Sequence, residues 1–208
     1  GEHVDTEFLG MLAQSKVPVD FPIVVGGREF SIEDLIRYEK LTCRPKSELT
    51  FKLIGLSHYL DSDATWQDDL GQPWSISRLI QEELAQPIVG AACGGTHRLM
   101  GFAYAVTKRE REGKPLTGEW QRARIFLDDY HDYTFRLQNA DGSFSTNWFA
   151  GPAAKPDPAR RVQTTGHILE WLVYSLPQEQ LDDERVIRAV DYLTRLLLND
   201  RQGNYEIG

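Results

Sequence analysis

The sequence predicts an all-α fold in which two kinds of helix alternate. Residues 122–144 read as an amphipathic helix that ends in a polar turn, where a glycine precedes an aromatic residue, and the same order of features returns at 188–205. A second pattern repeats in phase with the first: His97 and His167 lie 70 residues apart, and each begins an apolar helix. Two helix types that alternate with a period of about 60–70 residues are typical of a helical-repeat array.

Length, composition and charge are those of an ordinary globular chain. The 208 residues are 41% hydrophobic and 26% charged, so we expect a single domain over residues 1–208. The net charge of −8, without a basic block, argues against a nucleic-acid partner. No apolar run is long enough for a transmembrane helix. Two cysteines are too few for a disulfide framework, and the residues leave the cellular compartment open.

The N-terminal part predicts a small β-hairpin between two helices. A short helix is expected at 5–15, and two adjacent glycines between apolar ends predict a hairpin within 23–30. Ser31, with Asp34 three residues later, has the pattern of a capping box, and it predicts a helix that continues to about Leu41.

The next segment looks like a weaker copy of the repeated turn. A helix expected at 49–60 leads into 66–74, a polar stretch in which a glycine again precedes an aromatic residue. Gly71 lies 71 residues before Gly142, which is close to the repeat period. We therefore interpret 66–74 as a degenerate third copy of the helix-ending turn.

The remaining helices are predicted at 76–84, 97–108, 119–137, 167–176 and 182–198. Thr96 is a good N-cap for the second of these helices, and Thr164 or Thr165 for the fourth. Residues 144–163, which contain three prolines, are expected to form a long loop. A structureless span of about 20 residues inside a domain is usually functional or disordered.

The two helix types differ in how far their apolar residues extend around the helix. The helix after His167 is apolar almost all round, so we expect it to be buried on most sides. The helix at 119–137 carries one apolar stripe and a charged back; the stripe consists of Ala123, Phe126, Tyr130, Tyr133 and Leu137. One buried and one half-exposed helix per repeat predict an inner and an outer layer, as in an α/α toroid or solenoid.

The repeated turn resembles the QW motif of the terpenoid cyclase and protein prenyltransferase α/α-toroid superfamily. The first copy has Arg122, Ala123, Phe126, Leu127, Gln138, Gly142 and Phe144. The second copy has Arg188, Ala189, Tyr192, Leu193, Gly203 and Tyr205, with Leu197 where the motif has glutamine. The final aromatic is Phe or Tyr instead of Trp, and the first copy has about two additional helical turns before its glutamine. The resemblance covers roughly residues 50–208.

The resemblance implies a toroid with more helices than the seven or eight that this sequence predicts. We therefore expect an incomplete ring, either truncated or an excerpt of a longer protein. In physical terms, the turn would tie the end of an outer helix to the next inner helix through its amide and its aromatic ring.

Two acidic segments are similar to catalytic motifs of terpenoid-forming enzymes, but neither is expected to act as one. Residues 128–132 fit the DDxxD pattern by which class I terpene synthases bind Mg²⁺-diphosphate, but helical geometry turns these carboxylates away from the apolar stripe. Residues 61–65 resemble the catalytic acid motif of squalene–hopene-type cyclases without its second aspartate, and a polar turn is a poor place for a neutral carboxylic acid. We expect the family's known catalytic acids to be absent.

Cys93, His97 and His167 are the candidate metal ligands. Prenyltransferase-type and lanthionine-cyclase-type toroids hold zinc with Cys and His at the starts of inner helices, so the resemblance implies zinc here. Zinc favours tetrahedral N and S ligands, and three protein ligands leave one position for water. Against zinc, Ala91 replaces the aspartate of the prenyltransferase Asp-x-Cys pair. The alternative is that the two histidines cap the first turns of their helices and pack between them, while Cys93 is a small buried residue.

His97, His167, Glu170 and Tyr174 are the candidate catalytic residues. The last three share one helical stripe, and Glu170 is the only carboxylate of an otherwise apolar helix. It should therefore be paired or face a wet cavity. A cavity lined by these His, Glu and Tyr side chains could perform acid–base chemistry, as in α/α-toroid polysaccharide lyases. Alternatively, the histidines pack between repeats and Glu170 bonds to a neighbouring helix.

We therefore expect a terpenoid-cyclase-like toroid domain that binds a small-molecule or protein ligand in a central cavity around His97, His167 and Glu170, without a cofactor. The alternative is an enzyme. It would use zinc through Cys93 in isoprenoid chemistry, or act like a lyase through His167 and Tyr174. A third hypothesis is a purely structural arc.

Overall fold

A computed structural model describes residues 4–199, with side chains from residue 7 onward. The described residues form two compact units, the first made of residues 4–86 and 101–125 and the second of residues 87–100 and 126–199. Within the described range, the structure contains eight α-helices and two small β-hairpins. The prediction of a mainly helical chain with an N-terminal β-hairpin is confirmed.

The α-helices are α1 (Val4–Gln14), α2 (Ile32–Leu41), α3 (Thr50–Tyr59), α4 (Ile76–Leu84), α5 (Thr96–Arg111), α6 (Glu119–Arg136), α7 (Pro158–Ser175) and α8 (Glu184–Asn199). The strands are β1 (Pro22–Val25), β2 (Arg28–Ser31), β3 (Thr65–Gln67) and β4 (Pro73–Ser75). Searched from residue 4 to residue 199, the chain has no helix that is long and apolar enough to cross a membrane.

The first hairpin and the helix after it form as their local signals predict. Strands β1 and β2 pair antiparallel, with Val25 opposite Arg28. The backbone N–H of Asp34 donates to Ser31 Oγ at 3.3 Å, and the backbone N–H of Ser31 donates to the Asp34 carboxylate at 2.9 Å. This reciprocal capping box satisfies amide groups that the first turn of α2 leaves without helical partners.

Residues 66–74 form a β-hairpin, so their interpretation as a helix-ending turn is wrong. Trp66 pairs with Trp74 across β3 and β4. One carboxylate oxygen of Asp68 accepts hydrogen bonds from the backbone N–H groups of Leu70 (2.9 Å) and Gln72 (2.8 Å). Gly71 has φ +75°, which only glycine adopts without strain. The acidic turn therefore stabilises strand pairing instead of a helix end.

Helix α7 begins nine residues earlier than predicted. Asp157 is its N-cap, because the Asp157 carboxylate accepts from the backbone N–H of Arg160 at 3.1 Å. Pro158 occupies the first helical position, where a missing N–H costs nothing. Thr164 and Thr165 lie inside the helix and do not cap it. His167 is consequently a mid-helix residue.

Burial on α7 is limited to one face, so the prediction of burial on most sides is wrong. Glu170 is exposed, and Val173 is 48% exposed. The buried residues of α7 are Thr164, Thr165, Ile168, Trp171, Leu172 and Ser175. Because the helix presents a half-exposed polar stripe, its histidine and carboxylate can be reached from solvent.

The buried stripe of α6 is shifted by one residue from the predicted one. Ala123 and Leu137 are buried as predicted, but Leu127, His131 and Thr134 are buried in place of the half-buried aromatic residues. His131 stacks on Trp171 with ring centroids 4.9 Å apart, and its Nε2 lies 2.7 Å from Ser175 Oγ. The three aspartates at 128, 129 and 132 are exposed, as expected for a solvated face.

The turn at Gly142 connects the end of α6 to α7 and α8. The side-chain amide nitrogen of Gln138 (Nε2) donates to the backbone carbonyl oxygens of Gly142 (3.0 Å) and Arg185 (2.7 Å). The backbone N–H of Phe144, a fully buried residue, donates to Thr165 Oγ1 at 3.1 Å. The glycine and aromatic of the second copy, Gly203 and Tyr205, lie outside the described residues.

Replacing Gly142 with alanine is expected to destabilise the protein by about 2–3 kcal/mol. Gly142 has φ +95°, and an added Cβ would lie 2.5 Å from the carbonyl oxygen of Arg188. Gly113→Ala is the matched control, because Gly113 also has positive φ (+67°) but no atom within 4 Å of the added Cβ. Urea denaturation measures the free energy of unfolding of both variants and of the wild type. Equal losses of stability would show that the contact with α8 contributes nothing.

Candidate metal centre

Cys93 lies in a strained turn immediately before α5. Its φ and ψ are +45° and +39°, a left-handed conformation that a non-glycine residue rarely adopts. Gly94 and Gly95 follow, also with positive φ. A Cβ on Gly94 would lie 2.2 Å from the Trp148 ring, and one on Gly95 would lie 2.6 Å from the carbonyl oxygen of Ile88. The two glycines therefore allow a close approach that holds the Cys93 turn in place.

The two histidines come from different helices and meet next to this turn. His97 is the second residue of α5, and the hydroxyl of Thr96 donates to the carbonyl oxygen of Cys93 at 2.9 Å, which links the turn to the helix. The rings of His97 and His167 are 5.4 Å apart between centroids and nearly perpendicular. Helices α5 and α7 therefore bring together residues that are 70 positions apart in the chain.

The structure places one potential ligand atom from each of Cys93, His97 and His167 within 4.8 Å of the other two. All three residues are half-buried. In a tetrahedral zinc site the ligand atoms are about 3.3–3.5 Å apart, given Zn–N and Zn–S bonds of about 2.0 and 2.3 Å. Zinc binding would therefore draw these ligand atoms together by up to about 1.5 Å. The sulfur and nitrogen donors are also those that zinc prefers.

Glu170 lies on the solvent side of His167. Its carboxylate oxygen is 3.6 Å from His167 Nδ1, and its side chain is 59% exposed. Interaction with His167 lowers the pKa of Glu170, so the carboxylate is ionised near neutral pH. Burial, assisted by the neighbouring His167, lowers the pKa of His97. A neutral imidazole retains the lone pair that a metal ligand needs.

Tyr174 follows His167 along α7. It is two helical turns beyond His167 on α7, which corresponds to about 10 Å along the helix axis. The side chain is half-buried. A catalytic role for Tyr174 stays a prediction, whereas Cys93, both histidines and Glu170 form one group of neighbouring side chains.

Trp148 is a neighbour of the site that the sequence analysis did not identify. Its ring packs against His167 with centroids 5.9 Å apart, and the Arg160 guanidinium lies 5.1 Å over the same ring. Trp148 has φ +56° and is 8% exposed. No spacing or motif marks it, because its position depends on a turn of unusual conformation packed against Gly94.

Comparisons of the chain with protein-family models, with curated proteins and with solved structures give no match. The superfamily resemblance therefore depends on the repeated turns alone, and the chemistry of the site is argued from its own geometry.

Proposed function

We propose that this chain is a zinc-binding protein whose metal ion is held by Cys93, His97 and His167. The observation that carries the proposal is the convergence of one sulfur and two nitrogen donors within 4.8 Å. A cysteine and two histidines supply one negative charge and two neutral donors, a set that zinc accepts in a tetrahedral arrangement. The strained Cys93 turn and the neutral His97 are consistent with a preorganised site.

Three protein ligands leave the fourth position of a tetrahedral zinc ion open to water or to a ligand. Structural zinc sites are usually closed by four protein ligands, so this set is of the catalytic type. Bound zinc would supply a Lewis acid that polarises a ligand oxygen or lowers the pKa of a water molecule to about 7. The ligand binding expected from the sequence would then take place at the metal, and the alternative of a zinc-dependent enzyme uses the same position.

Metal uptake by the purified protein tests the proposal. Metal-free protein is dialysed against micromolar zinc, and the expected result is one tightly bound zinc ion per chain by elemental analysis. Cobalt substitution reports the ligands: a thiolate ligand gives a near-ultraviolet charge-transfer band, and tetrahedral geometry gives intense visible bands. Protein that takes up no zinc, or cobalt-loaded protein without a thiolate band, would contradict the proposal.

We also propose that the helices belong to an α/α toroid like that of the superfamily the turns resemble. The support is the Gly142 turn, in which Gln138 bonds to the carbonyl oxygen of Arg185 on α8 and the Phe144 amide bonds to α7. An experimental structure with α5 and α7 in an inner layer and α6 and α8 in an outer layer would support the toroid. A structure with all four helices in one layer would contradict it.

A further inference from the structure

We infer that Glu170 is a positioning residue, which holds a proton on Nδ1 of His167 so that Nε2 is the atom offered to the metal. The metal part of this inference rests on the proposed zinc function. The protonation of the His167 ring can be measured without any metal, so the two proposals can fail separately.

The argument begins with the two nitrogens of the imidazole ring. In neutral histidine one nitrogen carries a hydrogen and the other carries a lone pair, and a hydrogen-bond acceptor next to one nitrogen selects the form that is present. Glu170 is one turn after His167 on α7, and its carboxylate oxygen lies 3.6 Å from Nδ1. The carboxylate therefore favours hydrogen on Nδ1, which leaves the lone pair on Nε2.

The exposure of Glu170 allows the contact to become shorter. At 3.6 Å the carboxylate and the ring are an ion-pair distance apart, whereas an N–H···O hydrogen bond is about 2.9 Å long. The glutamate side chain is 59% exposed, so a change of rotamer meets little resistance from packing. Trp148 packs against the His167 ring with centroids 5.9 Å apart, and the His167 side chain is only 19% exposed, so the ring has less freedom than the carboxylate. The Glu170 side chain can therefore move toward His167 more easily than the His167 ring can move toward Glu170.

Charge balance also favours a carboxylate at this place. A zinc ion bound by one thiolate and two neutral imidazoles has a net charge of +1. The ionised Glu170 beside His167 brings the sum to zero without occupying a coordination position. Carboxylate–histidine–metal arrangements of this kind raise the basicity of the ligand and fix its orientation, and their loss typically lowers metal affinity by about 10–100-fold.

The first measurement is the tautomer of His167 in the metal-free protein. Long-range ¹H–¹⁵N correlation spectra at slightly alkaline pH distinguish the nitrogen that carries hydrogen from the nitrogen that does not. The expected result is hydrogen on Nδ1 in the wild type and a shift of the population toward Nε2 in Glu170→Ala. Glu170→Gln should retain part of the wild-type population, because its amide oxygen still accepts a hydrogen bond. An unchanged tautomer in Glu170→Ala would overturn the inference.

The second measurement is zinc affinity by competition with a chelator. Glu170→Ala is expected to bind zinc about 10–100-fold more weakly than the wild type. Glu179→Gln is the control: Glu179 is exposed, belongs to the same unit and follows the end of α7, so the substitution removes one negative charge from outside the helix that carries His167. If both variants lose the same zinc affinity, the effect of Glu170 is that of a general negative charge, and its role in positioning His167 is overturned. If the wild type itself takes up no zinc, the zinc function fails, and the tautomer measurement still decides the role of Glu170.

Discussion

Cys93→Ser is expected to lower the zinc affinity of the protein by about 100-fold or more, equivalent to about 2.8 kcal/mol of binding free energy. The thiolate is the only anionic ligand of the proposed set, and a serine hydroxyl ionises far less readily than a thiol. His97 and His167 alone would hold the ion with two neutral donors. Competition with a chromogenic chelator, performed on protein that is first shown to be folded, measures the change.

Cys43→Ala is the control for this experiment. Cys43 is fully buried, and burial raises the pKa of its thiol to about 11, so the thiol stays neutral. Its loss is expected to leave zinc affinity unchanged. A second readout is thermal: zinc at 100 times its dissociation constant should stabilise the wild type by about 2.7 kcal/mol and Cys93→Ser by far less. Equal affinity in wild type and Cys93→Ser would exclude Cys93 as a ligand.

The elements that the sequence predicted well are those with a local chemical signal. The capping box of Ser31 and Asp34 and the two glycines before it act within a few residues, so the first hairpin and α2 form as expected. The start of α7 also had a local signal, Asp157 followed by Pro158, but three prolines favoured the interpretation as a loop. Proline at the first helical position is compatible with a helix, so Pro158 should have been read as a helix start and not as part of a loop.

The β3–β4 hairpin and the site depend on contacts between distant residues. Trp66 and Trp74 pair across a tight turn that contains Asp68 and Gly71, and these turn residues also fit a helix-ending loop. Spacing alone places Cys93 and His97 near each other, since they are four residues apart at a helix start. Their proximity to His167 requires α7 to pack against the turn at Ala92–Gly95, which contains Cys93. The sequence repeat predicted that His97 and His167 occupy equivalent positions in two repeats, but it did not predict that their side chains are in contact.

The second large effect is expected in the first unit, where Lys52→Met should destabilise the protein by about 3–5 kcal/mol. The Lys52 side chain is 3% exposed and that of Glu39 is 2% exposed, and the ammonium contacts the Glu39 carboxylate directly. Lys52 also donates to Thr42 Oγ1 at 2.7 Å and to the Glu39 carbonyl oxygen at 3.2 Å. Methionine has a similar volume, so the loss reports the removed charge instead of a cavity.

The double variant Glu39→Gln/Lys52→Met separates charge from packing. Because it removes the buried carboxylate charge together with its cation, it is expected to recover more than half of the stability lost in Lys52→Met. The matched surface control is Arg122→Met: Arg122 is 59% exposed and pairs with Glu119 at 2.6 Å, so the expected loss is below about 1 kcal/mol. Urea denaturation midpoints compare the three variants. If Lys52→Met costs no more than Arg122→Met, the buried pair does not stabilise the α2–α3 packing as we infer.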